Sequence, residues 1–250
     1  MSGITISEER GVRYLHFGSA WVQGAMRIAR PWALELEYTR DLMFPLLLRP
    51  EPDWPASVLQ IGLGSASVTK FLYRNRPEAR ITVIEILPEV VATARQYFKL
   101  PEDPRRVHIE IGDGHDYASG DRGGRFDLIV VDGYDDRGRP GMLDTAPFYL
   151  NCRDRLARGG MVAINLLTRR RGSDPSVGRI RQAFGERVVM IPPSDAGNAV
   201  ALATRGPAVQ VSFGDLRDAA RALHAATGLN LLPAVTRLAE TSRGGDRLEL

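Results

Sequence analysis

Cysteine is almost missing from this chain, and so is lysine: Cys152 is the single cysteine, and Lys70 and Lys99 are the two lysines. One cysteine excludes an intramolecular disulfide and any cysteine-built zinc cluster, and it fits a reducing compartment. Long apolar runs are also lacking. PLLLRP and LIVV are short and sit beside charge, far from the ~20 residues a helix needs to cross a bilayer. The opening residues MSGITISEERG lack the basic-then-apolar pattern of a secretion signal. The expectation is a cytoplasmic protein with no membrane partner. The four histidines, His16, His108, His115 and His224, show no metal-ligand spacing, so no metal site is expected. Although the net charge is +3, the arginines are scattered apart from Arg169, Arg170 and Arg171, and no aromatic residues interleave with that run. A solvated loop, not a nucleic-acid surface, is the expected reading.

What is present is ordinary globular composition: 250 residues, 44% hydrophobic and 25% charged. Residues 3–29 alternate apolar and polar positions in ITISEE, RYLHFG and WVQGAMRIA, the pattern of a small antiparallel sheet turning near Arg10-Gly11. Residues 34–48 have helical spacing through Leu34, Tyr38, Leu42 and Met43, with Pro45 obscuring the end. The Pro-rich RPEPDWPAS marks a boundary, giving an expected N-terminal region of 1–50 and a main domain of 51–250. From residue 57 onward, apolar strands alternate with helices: SVLQI, RITVIEI, VHIEI, FDLIVVD and MVAINLL, then RVVMI and AVALAT with no helix between those last two. That is a mostly parallel, Rossmann-like α/β sheet with an antiparallel hairpin at one edge. Helices are expected at 214–227 and 231–240, with a frayed polar tail.

The chemistry gathers where strands end. The first strand runs into Gly62-Leu63-Gly64-Ser65-Ala66-Ser67, where glycines allow a ligand close to the backbone beside a helix N-terminus. The third glycine of the dinucleotide fingerprint is replaced by Ser67. Glu85 ends the second strand and suits a ribose diol. Asp113-Gly114 follows the third strand, where a carboxylate can accept from an adenine amino group. Asp132 closes the fourth, followed by Gly133-Tyr134-Asp135-Asp136. The carboxyl edge of an open α/β sheet is where such folds bind ligands. Four adjacent endings of this kind point to a nucleoside-type cofactor, and the missing glycine and the acid after strand four weigh against NAD.

The run from Val58 to Leu167 resembles the aminopropyltransferase family, the spermidine and spermine synthases. The family's glycine-rich turn corresponds to Gly62–Ser67, its ribose glutamate to Glu85, and its adenine-site Asp-Gly to Asp113-Gly114. Its signature aspartate pair falls on Asp132 and Asp135. Tyr38 sits where the family has a pocket tyrosine, and Gln23 is similar to an N-terminal pocket glutamine. The resemblance implies an S-adenosylmethionine-methyltransferase fold behind a small β-region. It also implies transfer of an aminopropyl group from decarboxylated S-adenosylmethionine to a polyamine amine such as putrescine, and a homodimer or higher homo-oligomer. Four positions depart from the family pattern. Ser65 replaces an aspartate that would hold the cationic donor tail, Ile86 replaces an acid, Asp136 a proline, and Phe44 the histidine of a His-Pro pair.

In that reading Asp132 is the catalytic proton acceptor, Asp135 anchors a distal ammonium, and Tyr134 and Tyr38 wall the amine pocket. Gln23 joins the substrate-binding set, while Gly62, Gly64, Ser65, Glu85, Asp113 and Gly114 bind the co-substrate. His115 reads as a loop histidine, and Cys152 as a small buried side chain. Two alternatives stay open: a methyltransferase using intact S-adenosylmethionine, and a non-catalytic nucleoside-binding homologue.

Overall fold

In the computed structural model, which describes residues 3–18, 21–121, 124–168, 174–193, 197–242 and 245–250, the chain begins with three short strands, β1 (Ile4–Glu9), β2 (Val12–Phe17) and β3 (Val22–Arg27). They pair antiparallel in the order β1-β2-β3. Arg10 and Gly11 both take left-handed backbone angles at the first turn, the geometry that matches the twist of a two-residue hairpin.

The stretch expected to be one helix over 34–48 is two, α1 (Glu37–Asp41) and α2 (Pro45–Leu48). Proline has no N–H to donate and is best placed in a first helical turn. Pro45 accordingly starts α2 and does not continue α1. Leu42 through Leu48 are buried in the same cluster as the main sheet's Val58 and Leu128.

The main sheet follows: β4 (Ser57–Ile61), α3 (Ser67–Asn75), β5 (Arg80–Glu85), α4 (Pro88–Tyr97), β6 (Val107–Ile111), α5 (Gly114–Ser119), β7 (Phe126–Val131), α6 (Ala146–Arg155), β8 (Leu156–Leu167), α7 (Asp174–Phe184), β9 (Val188–Ile191) and β10 (Asn198–Arg205). Its seven strands lie in the order β6-β5-β4-β7-β8-β10-β9. Pairs from β6 through β8 are parallel, and β10 runs antiparallel to both β8 and β9. This is the expected Rossmann-like sheet with its antiparallel edge.

The central strands β4, β7, β8 and β10 are buried on both faces, which explains their apolar runs. Side chains alternate between faces with period two. Val58, Leu128, Val130 and Met161 point to the side of α2, α3, α4 and the C-terminal helices. Leu59, Ile61, Ile129 and Val162 point to the side of α6 and α7.

The chain ends with β11 (Gln210–Ser212), α8 (Phe213–Thr227), α9 (Leu232–Thr241) and β12 (Arg247–Glu249). The tail is not frayed. β12 pairs with β11, and Leu248 and Leu250 are buried, because two apolar side chains at alternate positions find a place in the core beside α8. Helix α5 was also unexpected; it is short, and Asp113 caps it. The arginine run 169–171 lies outside the described residues, as do 194–196 of the expected turn after β9.

Candidate active site

The carboxyl ends of β4, β5, β6 and β7 finish in register. Ile61 pairs with Ile84 and with Val131, and Glu85 pairs with Ile111. The ladder runs one bond further at each end: the N–H of Gly62 donates to the Ile84 carbonyl (2.9 Å), that of Gly112 to Glu85 (3.0 Å) and that of Asp132 to Ile61 (2.9 Å). The four chemical positions read from the sequence are thus brought to one edge, at the point where the connections switch faces between β4 and β7.

The turn after β4 depends on glycine at Gly62, where φ is +89° and a Cβ would run into the backbone carbonyl of Asp132. Gly114 plays a packing role, since a Cβ there would strike Ile61. Ala66 takes a left-handed φ of +56°, unusual for a residue with a side chain, at the entrance to α3.

Glu85 is 7% exposed. Its Oε2 accepts the Leu63 N–H (2.9 Å) and its Oε1 the Leu87 N–H (3.0 Å). Burial raises its pKa, opposed by these backbone donors. Glu85 therefore clips the glycine turn to the end of β5. The N–H groups of Ile86 and Gly64 also face the carboxylate. Asp113 is exposed and accepts the His115 N–H (2.7 Å) as the cap of α5. His115 is thus in a helix, not a loop, and stacks on Phe148 at 6.4 Å.

Above the turn lies β3. The Gln23 carbonyl faces Gly64, where a Cβ would lie 3.5 Å from it. Ser65, 3% exposed, bonds the Ser67 hydroxyl (2.9 Å), which donates to the Ala25 carbonyl (3.1 Å). Gly24 leaves room for Ser65, which a Cβ would overlap. The position where the resembled family has an aspartate is neutral here and is held by hydroxyls.

A second polar group centres on Asp132. Asn165 of β8 donates to its Oδ1 (2.7 Å), and the Tyr38 hydroxyl of α1 donates to the same carboxylate. Burial raises the Asp132 pKa, partly offset by these two donors. Asn165 in turn accepts from the side chain of Asn198 on β10 (2.9 Å). Tyr38 is held from behind. The Arg237 guanidinium of α9 reaches Glu37 (2.6 Å) and Asp41 (2.5 Å), the residues on either side of it along α1. Burial pushes Asp41 up to about 6 despite that arginine.

Tyr134 is fastened differently from the expectation. Its hydroxyl donates to the Asn165 carbonyl (2.6 Å) and accepts from the Leu167 N–H (3.2 Å). Asp135 is engaged as well. It accepts from the Arg137 and Arg139 N–H groups (2.9 and 2.8 Å) and from the Arg139 side chain (2.8 Å). Burial pushes its pKa up, but these donors outweigh that and hold it below the ordinary value. At the far end of this loop, Asp144 accepts from Tyr149 (2.8 Å), Ser176 (2.8 Å) and Arg179. The loop tip rests on the N-terminal region, since a Cβ on Gly138 would overlap Trp21 and Leu167.

Asn165, Asn198, Arg139 and Arg237 were missed by sequence reasoning. Asn165 lies three residues inside an apolar strand, a signal that was available; the others act through pairings no spacing reveals. Cys152 is fully buried, as expected, and burial raises its thiol pKa. A groove of about 620 Å³ lined by Met190, Phe213 and Leu238 contains none of these site residues. Among the described residues no group of three or more metal-ligating side chains occurs, and no helix is long and apolar enough to cross a membrane.

No protein-family model matches the chain. It is 33% identical over 243 residues to the polyamine aminopropyltransferase of Chromobacterium violaceum, a match covering 97% of this chain and 92% of that protein. A probable spermidine synthase from Corynebacterium glutamicum superposes with a TM-score of 0.73 over 99% of this chain and 87% of its own, at 20% identity. Human methyltransferase-like protein 13, solved with SAH, superposes at 0.66 over 84% and 96%, at 21% identity. At such identities the two structures speak for the fold.

Proposed function

The chain belongs to the polyamine aminopropyltransferase family, and on that premise we propose that it moves an aminopropyl group from decarboxylated S-adenosylmethionine to a polyamine amine such as putrescine. The observation that carries the reading is Asp132: a carboxylate at a strand end, beside the glycine turn, with two side-chain donors aligning it.

The sulfonium carbon of the donor is already electrophilic. The protein must bind the nucleoside, align the amine in line with the C–S bond, and take its proton. The amine lone pair forms the new C–N bond as the C–S electrons pass to sulfur, and a neutral thioether leaves. An alkyl ammonium has a pKa of ~10, so the amine needs a nearby base. Burial makes Asp132 a stronger base than a solvated carboxylate, and Asn165 and Tyr38 oppose that shift by stabilising the ionised form. Glu85 and Asp113 accept from the ribose and adenine, and the turn from Gly62 to Gly64 sets its backbone beside the nucleoside. Tyr38, Tyr134 and Gln23 wall the amine. Asp135 attracts its distal ammonium, in exchange with Arg139.

Ser65 favours a second reading, methyl transfer from the intact donor, because a neutral turn with hydroxyls does not repel a carboxylate. Calorimetric titration with the two donors side by side, followed by turnover with putrescine, separates the two. Tighter binding of the decarboxylated donor and aminopropylated product are expected. Preference for the intact donor with no such product would overturn the proposal. Ser65→Asp is expected to tighten the decarboxylated donor by up to about fivefold, the scale of one partly screened ion pair.

We also take the protein to assemble as a homodimer or larger oligomer through its N-terminal sheet, a reading supported by the exposure of Trp21 (44%), Val22 (42%) and Ile28 (38%) on that region. A monomeric mass by light scattering would remove it. The single cysteine, buried and free, supports a cytoplasmic location.

A further inference from the structure

Asp132 sits at the end of a short polar chain that runs across two strands. Asn198 on β10 donates to Asn165 on β8, and Asn165 donates to Asp132, with donor–acceptor distances of 2.9 and 2.7 Å. The register explains how they meet. Asn165 pairs across the ladder with Val200, and Asn198 lies two residues earlier on β10, so both side chains stand on the same face of the sheet. That is the face covered by α1, which carries Tyr38.

An asparagine side chain is ambivalent, with an acceptor on one side and donors on the other. Only one orientation serves a carboxylate. With its amino group toward Asp132, Asn165 stabilises the ionised form; turned over, it would set a carbonyl oxygen against a negative charge. Asn165 and Asn198 are 4% and 9% exposed, so water is poorly placed to correct a wrong orientation.

We propose that Asn198 is a positioning residue for the transfer reaction, fixing the orientation of the Asn165 amide so that Asn165 donates to Asp132. Asn198 touches neither substrate nor Asp132 and acts wholly through Asn165. The other titratable groups facing Asp132 are Tyr38 of α1 and Tyr134 of the loop after β7. Burial raises both of their pKa values, so neither changes charge where Asp132 titrates.

The rate part of the test rests on Asp132 being the base of the proposed reaction; the titration part does not. Asn198→Val removes the donor while keeping a side chain suited to a strand, and Asn198→Thr restores a hydroxyl donor on the same branched frame. With N198V, the acid limb of kcat/KM is expected to move up by about one pH unit, and kcat at neutral pH to fall about tenfold. Donor affinity stays unchanged, and N198T recovers most of the loss. Carbon NMR of the Asp132 carboxyl is expected to titrate at correspondingly higher pH in N198V. Pairing N198V with Asn165→Val is expected to cost no more than N165V alone, because both act on one contact.

An unchanged acid limb and unchanged Asp132 titration in N198V, or additive losses in the double variant, would overturn the proposal. If N198V does not fold, the wild-type protein suffices: the Asn165 side-chain amide signals must shift with the titration of Asp132, and failure to shift overturns it equally. Loss of aminopropyl turnover as an activity, with the Asp132 titration still moved by N198V, would sink the assigned reaction and leave this inference standing.

Discussion

The two halves of the site are built on different principles. The nucleoside half is made of strand ends and a glycine turn, closed by backbone N–H groups: that of Gly62 on the Ile84 carbonyl, that of Asp132 on the Ile61 carbonyl, and those of Leu63 and Leu87 on the Glu85 carboxylate. Its parts are separated along the chain by the regular lengths of strand–helix units. The acceptor half is made of side chains from α1, β8, β10 and a long loop, joined by pairings such as Tyr38 to Asp132, Asn198 to Asn165 and Arg139 to Asp135. Side-chain construction makes the second half adjustable.

If the halves are separable, variants in one must leave the other's readout alone. Asp132→Asn should have the largest effect, a loss of about a thousandfold in kcat, within the range for a positioned base. Donor affinity by calorimetry should be unchanged, and a parallel loss of donor affinity would break the division. Glu85→Ala should do the reverse. It removes the proposed acceptors for the ribose and the clip on the glycine turn, so donor affinity should weaken roughly tenfold to a hundredfold, the scale of one charge-assisted hydrogen bond. The acceptor KM at saturating donor should hold.

This contrast also explains what could be read in advance. That Gly62, Glu85, Asp113 and Asp132 meet at one sheet edge was legible because parallel strands of similar length end together, so a residue's place at a strand end also gives its place along that edge. Tyr134 and Asp135 were placed in the right loop, but their partners, Asn165 and Arg139, were not foreseen. Loop side chains have several partners within reach, and packing selects among them. The division of residues 34–48 into two helices was obscured because the apolar spacing runs on through Pro45 while the backbone does not.

Smaller effects sharpen the comparison further. Arg139 competes for the carboxylate that would take a distal ammonium. Arg139→Ala should lower the KM for a diamine by up to about fivefold, the scale of an exposed ion pair. It should leave a monoamine of equal length unaffected, and steady-state kinetics with the two acceptors checks this.

Lys70 lies outside both halves and should affect neither. It is 1% exposed, its Nζ has no hydrogen-bond partner among the described residues, and burial, with Lys99 nearby, pushes it down to about 7. From about pH 7 to about 10 the unfolded chain holds a proton that the folded chain does not, so stability should rise with pH across that window. Lys70→Met should abolish the rise in chemical denaturation and leave kcat and donor affinity as they were. A rise that persists in Lys70→Met would place its origin elsewhere.

By itself the order of residues determined the alternation of strands and helices, the open sheet and the carboxyl-edge positions of Gly62, Glu85, Asp113 and Asp132, because local periodicity and parallel register carry that information directly. Tertiary structure alone decided that Asn198 would orient Asn165, that Arg237 would hold α1 beneath Tyr38, and that Lys70 would be shut away from water. Those outcomes join residues far apart in the chain. They follow from which faces of the folded sheet and helices come to lie together, and no local pattern in the chain encodes that.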